Sequence, residues 1–177
     1  MAGGLWVGSQ TYRPNGDDDI VLTRLDANGD VVWTQEFGSH PGDDALGAVS
    51  VDGSGNGYVV WNNAVVKLHK HRPDGELMWS TSFGSPEADA RDYDVDADEL
   101  GSVFISGRMT GDFVEPNLGG LDAYVSKFNS LGILVWTKQF GTAAWESAAN
   151  VAADGKGGVY FAGRTRGRLA DSHLGDY

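Results

Sequence analysis

Three segments of the chain repeat one pattern of glycine, tryptophan, phenylalanine and glycine. They read GDVVWTQEFG, GELMWSTSFG and GILVWTKQFG, and they end at Gly38, Gly84 and Gly141. In each segment the tryptophan follows the first glycine by four residues, and the three tryptophans lie 46 and 57 residues apart. A period of this size is typical of repeat architectures, in which each repeat is one supersecondary unit that packs against its neighbours.

The residues between these segments are typical of short β-strands separated by tight turns. Stretches rich in β-branched and aromatic residues alternate with clusters of glycine, asparagine and aspartate. We number the strands of one unit first to fourth, with the tryptophan segment as the fourth. Asp52, Asp98 and Asp154 each end a first strand and precede an aromatic residue of the second strand by six positions. Four short antiparallel strands repeated at this period are typical of a β-propeller blade.

The predicted fold class is therefore all-β, with β-propeller blades of four antiparallel strands. Residues 4–38 hold a second to fourth strand, 39–84 and 85–141 hold complete blades, and 142–177 hold a first and second strand. This is about three and a quarter blades, fewer than the four to eight of known propellers. We expect a partial propeller, either a fragment of a longer repeat protein or one completed by another chain, with exposed strand edges at both ends.

The repeat resembles the bacterial-type β-propeller repeat known as the SBBP repeat. The resemblance covers nearly the whole chain and is clearest in residues 119–165. The matching positions there are Asp122, Ala123, Val125, Lys127, Gly132, Trp136, Gly141 and Gly163. The second unit departs from the pattern, since it lacks the Asp-Ala pair and reads KLHKH in its third strand. The resemblance implies propeller blades, commonly in extracellular or surface proteins, and it implies no catalytic residue set.

The acidic composition limits the classes of partner. The formal net charge of −12 argues against nucleic acid, because phosphate binding needs a basic surface. No run of about eighteen apolar residues is present, so no transmembrane helix is expected. The expected partners are another protein or additional blades, and association between copies of the chain is an alternative. The third unit inserts Arg108 to Gly120 between two strands, where repeat proteins often place binding residues.

A calcium loop is an alternative interpretation of one turn. Asp26, Asn28 and Asp30 have the alternating oxygen ligands of the first half of such a loop. The next position is Val31 rather than glycine, and the twelfth is Phe37 rather than glutamate. A turn between the third and fourth strands is the favoured interpretation. Apart from calcium, no cofactor is expected.

Two further polar patterns admit more than one interpretation. Asp92, Asp94, Asp96 and Asp98 alternate along one strand, which favours a solvated acidic face and leaves a cation or a basic partner as the alternative. His69 and His71 also share a face and could chelate a metal, although the sequence shows no third ligand.

The repeated aromatic residues are expected to form the core between neighbouring blades. They are Trp33, Phe37, Trp79, Phe83, Trp136 and Phe140. We therefore expect a non-catalytic propeller repeat module that acts as a structural or protein-interaction element. The alternatives are part of a propeller enzyme, quinoprotein-like or polysaccharide-degrading, with its active site outside this chain, and a calcium-stabilised surface adhesion module.

Overall fold

The computed structural model of the chain describes residues 4–14, 17–39, 44–113 and 115–169, except for the side chains of Asp92 and Ala149. The described residues form antiparallel β-strands and one short 3₁₀ helix, so the all-β prediction is confirmed. The strands are β1 (Leu5–Gln10), β2 (Ile20–Leu25), β3 (Val31–Phe37), β4 (Ala45–Val51), β5 (Gly57–Asn63), β6 (Val65–His71), β7 (Leu77–Phe83), β8 (Arg91–Ala97), β9 (Val103–Met109), β10 (Asp122–Phe128), β11 (Leu134–Phe140), β12 (Glu146–Ala153) and β13 (Val159–Thr165). The 3₁₀ helix covers Pro86–Ala88.

The strands form four separate antiparallel sheets along the described chain. Sheet 1 has the order β1-β2-β3, sheet 2 β4-β5-β6-β7, sheet 3 β8-β9-β10-β11, and sheet 4 β12-β13. Within each sheet, consecutive strands of the sequence pair with each other, so every sheet is a simple meander. None of the four sheets closes on itself within the described residues. No helix in this part of the chain is long and apolar enough to cross a membrane.

Aspartate and asparagine side chains shape the turns between the strands. Asp52 Oδ1 accepts hydrogen bonds from the backbone N–H groups of Ser54, at 2.9 Å, and Asn56, at 3.0 Å. The same arrangement recurs at Asp98 and Asp154, the residues that the sequence placed at the end of each first strand. A short side chain that holds the backbone in this way favours a turn over a continued strand. The turns therefore follow from local sequence.

The sheets pack face to face in sequence order, each through the strand that comes earliest in its own sheet. β1 contacts β4, β4 contacts β8, and β8 contacts β12. One hydrophobic cluster, which includes Trp6, Leu22 and Trp61, lies between sheets 1 and 2. A larger cluster, which includes Tyr58 and Ile105, lies between sheets 2 and 3. Burial of these apolar side chains is the main favourable contribution to the packing of the sheets.

Tryptophans of the outer strands also join sheet 1 to sheet 2 and sheet 2 to sheet 3. The indole N–H of Trp33 donates to the carbonyl of Pro73 at 2.9 Å, and that of Trp79 donates to the carbonyl of Ser130 at 3.1 Å. Both acceptors lie in the turn between the last two strands of the following sheet. The glycines of these turns, Gly75 and Gly132, have positive φ angles of 94° and 77°. A Cβ atom on Gly132 would lie 2.8 Å from the Trp79 ring, so this position needs glycine.

The six repeated aromatic residues, which the sequence placed in the core between blades, are not all buried. Phe83 is buried, whereas the other five are half-buried. They lie on β3, β7 and β11, the last strands of sheets 1, 2 and 3. Each of these strands pairs with a neighbouring strand on one side only. Trp136 contacts Phe104 within its own sheet, at 6.3 Å between ring centroids. Sheet 4 contributes no third and fourth strand in the described part of the chain, so no turn meets Trp136 as Ser130 meets Trp79.

We expect Trp79→Ala to destabilise the protein by roughly 3–5 kcal/mol, the usual cost of removing a large packed aromatic residue. Trp136→Ala should cost less than half as much, because Trp136 lacks the contact with a following turn. Urea unfolding of the two variants, followed by circular dichroism, checks this order. Equal losses of stability would contradict a role for the contact between Trp79 and the Ser130 turn.

Candidate functional site

A row of three side chains crosses each of the first three sheets at the same register. The basic residue of the third strand lies opposite an aromatic residue of the second strand and opposite the repeated tryptophan of the fourth. The rows are Trp6–Arg24–Trp33, Tyr58–Lys70–Trp79 and Phe104–Lys127–Trp136. Each cation lies over the second-strand ring, at 5.8, 4.9 and 5.1 Å from its centroid. These cation–π contacts add an electrostatic attraction to the packing of the row.

The row of sheet 2 includes a buried ion pair. Lys70 Nζ lies 3.1 Å from Asp52 Oδ2, and the Tyr58 hydroxyl donates to the same oxygen at 3.0 Å. Burial alone would raise the pKa of the Asp52 carboxyl. Hydrogen bonds from Asn56, Lys70 and Tyr58 outweigh that effect, so this pKa lies below its ordinary value. Burial and the nearby carboxylate raise the pKa of Tyr58 well above its ordinary value. The hydroxyl therefore stays protonated and serves as a donor.

Sheet 3 uses the equivalent lysine in a different way. Phe104 replaces the tyrosine, so this row has no hydroxyl group to reach an aspartate. Lys127 Nζ instead donates to the carbonyl of Gly157, at 2.7 Å, in the turn between β12 and β13. One repeat position thus holds an ion pair within sheet 2 and a hydrogen bond from sheet 3 to sheet 4.

The alternating aspartates of β8 join neighbouring sheets, so the prediction of a solvated face is wrong for the described members. Asp94 Oδ2 accepts the N–H of Val151, and Asp96 Oδ2 accepts the N–H of Ala153, both at 2.8 Å. The other Asp96 oxygen accepts the Ser50 hydroxyl of sheet 2 at 3.0 Å. Repulsion among the carboxylates is offset because each binds donors of a neighbouring strand. Asp98 shapes its own turn, and the side chain of Asp92 lies outside the described residues.

The two histidines of β6 pack between sheets 1 and 2. The His69 and His71 rings lie 5.0 and 5.6 Å from the Phe37 ring, centroid to centroid. Burial, together with the neighbouring His71 and Lys67, lowers the pKa of His69 to about 4. Burial also lowers the pKa of His71. Both rings are therefore neutral near pH 7, and Phe37 stacks on uncharged imidazoles.

In the candidate calcium loop, the Asp26 carboxylate holds its own turn. Asp26 Oδ1 accepts the N–H groups of Asn28 at 2.8 Å and Asp30 at 3.0 Å. These two donors, that of Asp30 first, lower the pKa of the exposed Asp26 carboxyl. The described residues contain no group of three or more histidine, aspartate or glutamate side chains arranged to hold a metal ion. The turn itself is as predicted, and calcium binding at this turn stays a prediction.

Two clefts that share Asp89 and Arg91 adjoin each other, and the second is also lined by Arg108 and Gly120, the two ends of the insertion in the third unit. The first, of about 660 Å³, lies at the starts of β4 and β8 and is lined by Leu46, Asn62, Asp89, Arg91 and Tyr93 among others. The second, of about 480 Å³, shares Asp89 and Arg91 and adds Arg108 and Trp145. Trp145 is 54% exposed and lies under the Arg166 guanidinium. Sequence reasoning located the insertion but missed Arg91 and Trp145, since Trp145 lies outside the repeated tryptophan position.

Comparison with known proteins adds little to this description. No protein-family model matches the chain, and no curated protein matches it. Among solved structures, the chain is similar to a protein of unknown function from Bacteroides caccae, with a TM-score of 0.48 and 13% sequence identity. The similarity covers 87% of this chain and 52% of that protein, so the chain spans about half of its length. At this TM-score the likeness carries no argument about fold or function.

Lys70→Met should destabilise the protein by about 3–5 kcal/mol, because it leaves the Asp52 carboxylate buried without its cation. Lys127→Met is the matched control, since Lys127 holds the same register position in sheet 3. It should cost only about 1–2 kcal/mol, because it removes a hydrogen bond to a carbonyl and leaves no buried charge. Chemical unfolding of both variants measures the difference. The proposed importance of the ion pair is wrong if the lysines prove equivalent.

Stability should fall as the pH is lowered from about 6.5 to about 4, because His69 titrates near 6.5 in the unfolded chain and only near 4 in the folded one. The unfolded state then binds more protons than the native state, so acid favours unfolding, by about 2 kcal/mol at pH 5. His69→Phe keeps a ring against Phe37 and removes the titration. Urea unfolding at pH 7 and pH 5 should show a smaller pH effect in this variant than in the unchanged chain. The same loss in both proteins would exclude His69 as its source.

Proposed function

We propose that the chain is a segment of a β-propeller and acts as a non-catalytic module for structure and protein interaction within a larger assembly. In this proposal each sheet is a blade or part of one, and the SBBP-like repeat is its sequence pattern. The module offers its two outer sheets to further repeat units of the same kind.

The observation that carries the proposal is the unequal burial of equivalent repeat positions. Tyr160 follows Asp154 by six residues, as Tyr58 follows Asp52 and Phe104 follows Asp98. Tyr58 and Phe104 are fully buried, whereas Tyr160, in sheet 4, is 72% exposed. A repeat position that is buried in the core of sheets 2 and 3 is thus exposed to solvent in sheet 4.

Sheet 1, the first sheet of the series, also leaves a core position exposed. Val7 is the sheet 1 equivalent of Val59 and Ile105, counted from the second-strand aromatic residue. Val59 and Ile105 are fully buried between sheets, but Val7 is 37% exposed. Since sheets 1 and 4 both leave a core position uncovered, the same type of interface that joins the inner sheets could extend in both directions.

The chemistry of the inner groups supports a structural role. The groups whose pKa is most shifted, Tyr58, His69 and Tyr124, lie between packed sheets. Shifted titratable groups can mark catalytic sites, but structural networks shift pKa values as well. At Tyr58 the shift arises beside the ion pair that crosses sheet 2, where packing leaves no room for a substrate. The open ends of the stack are therefore the better candidates for function.

Light scattering on a sizing column tests the proposal. We expect the purified chain to associate, with a molar mass above the 18.8 kDa of one copy and rising with concentration, because open sheet faces recruit each other when their natural neighbours are absent. Tyr160→Lys should weaken the association, since it places a charge in the open core position. Tyr12→Lys is the matched control, because Tyr12 is also exposed and lies outside the sheets.

A stable species of 18.8 kDa at every concentration, with no tendency to aggregate, would count against the proposal. An association that both lysine variants weaken equally would show that charge, rather than the sheet 4 face, controls it.

A further inference from the structure

Sheet 4 differs from sheets 2 and 3 in one strand pairing. β5 lies between β4 and β6, and β9 lies between β8 and β10, so both have neighbours on two sides. β13 is the equivalent strand, and within the described residues it pairs with β12 only. Five successive residues of β5 and of β9 are buried, whereas the five central residues of β13 are exposed. In the part of the chain that the structure describes, the second side of β13 is thus an edge whose backbone groups pair with no strand, beside the exposed Tyr160 and Phe161.

The inner sheets show what covers this strand type. In sheet 2, β6 places Lys70 opposite Tyr58, and β7 places Trp79 6.0 Å from the Tyr58 ring, centroid to centroid. In sheet 3, β10 places Lys127 opposite Phe104, and β11 adds Trp136. In both cases the cover is a β-hairpin whose first strand carries a cation and whose second strand carries a tryptophan. Sheet 1 has the same kind of cover for Trp6.

We propose that β13 is a docking edge for a β-hairpin of the repeat's own third-and-fourth-strand type. The first strand of the hairpin pairs antiparallel with β13 and places its lysine or arginine opposite Tyr160. The second strand places its tryptophan against the Tyr160 ring. The hypothesis rests on the proposed function, since it names the kind of partner that completes the open sheet.

A hairpin fits this edge better than a single strand does. A single strand would satisfy the backbone of β13, as in other cases of strand addition. It would leave its own outer edge unpaired and would bring no tryptophan to Tyr160, because in sheets 2 and 3 that ring comes from the fourth strand.

The test fuses a second copy of residues 122–141 to the end of the full chain through a flexible glycine-serine linker. This segment is the β10–β11 hairpin, which carries Lys127 and Trp136 at the required positions. A tether is needed because an isolated hairpin is at best marginally stable, and a short linker raises its effective concentration to the millimolar range. The control fusion carries Lys127→Ala and Trp136→Ala in the added copy only.

We expect the intact fusion to melt at least about 4 °C above the control fusion, a shift that is large for a chain of this size. Hydrogen exchange should slow at the β13 amides that do not bond to β12, in the intact fusion only. Tyr160→Ala should remove the gain in melting temperature, whereas Tyr12→Ala should leave it unchanged, since Tyr12 is an exposed tyrosine outside the sheets.

Equal melting temperatures for the two fusions, with unprotected β13 amides, would overturn the docking hypothesis. A gain that survives Tyr160→Ala would also overturn it, because the hairpin would then be bound elsewhere. The proposed function is judged separately by the association of the unfused chain. Association without a gain from the fused hairpin would leave the interaction module standing and remove only the hairpin as its partner.

Discussion

The contact between an outer-strand tryptophan and the glycine turn of the next sheet is the constraint on which the packing of sheets 1, 2 and 3 depends. The Trp79 ring leaves no room for a side chain at Gly132, and its indole donates to the turn of the next sheet. Trp33 makes the equivalent contact with the turn at Gly75. Sheets 1 and 2 therefore each orient the following sheet through their last strand, while β1, β4 and β8 pack against one another in sequence order. In the sequence, this contact joins the repeated tryptophan of one unit to the repeated glycine of the next unit.

Several aspartates hold the internal structure of the protein, because their carboxylates accept hydrogen bonds from backbone N–H groups. Asp52, Asp98 and Asp154 each hold a turn through backbone N–H groups. Asp94 and Asp96 reach across to β12, the first strand of the next sheet. At Asp154, the hydrogen bonds from the N–H groups of Lys156 and Gly158 lower the pKa of the carboxyl. These five of the 25 acidic residues therefore hold turns or join neighbouring sheets.

One repeat position can hold different chemistry without a change of fold. The second-strand aromatic residue is tryptophan, tyrosine, phenylalanine and tyrosine in the four sheets, at Trp6, Tyr58, Phe104 and Tyr160. Only Tyr58 adds a hydroxyl to a buried ion pair. Tyr160 has the same hydroxyl group, but within the described residues no hairpin covers it, so its surroundings rather than its identity distinguish it. Comparison of equivalent positions in the four sheets therefore identifies Tyr160 as the one that is exposed where Tyr58 and Phe104 are buried.

The sequence by itself determined the strands, the turns and the repeat. These depend on residues close together in the chain: alternation and β-branching for the strands, and aspartate followed by glycine for the turns. The register of Lys70 and Lys127 with the repeated tryptophans also followed from counting within one unit, and the ladders agree. The turn at Asp26 was predicted for the same local reason.

Only the tertiary structure decided which groups meet across sheets. The β8 aspartates looked solvated in sequence because their partners, such as Val151, lie more than fifty residues away. The neutral state of His69 depends on burial against Phe37 and Trp61, which no local pattern reports. The arginine-lined clefts and the open β13 edge are likewise products of packing. Contacts between distant segments are set by how whole sheets stack, and a repeat pattern describes one sheet at a time.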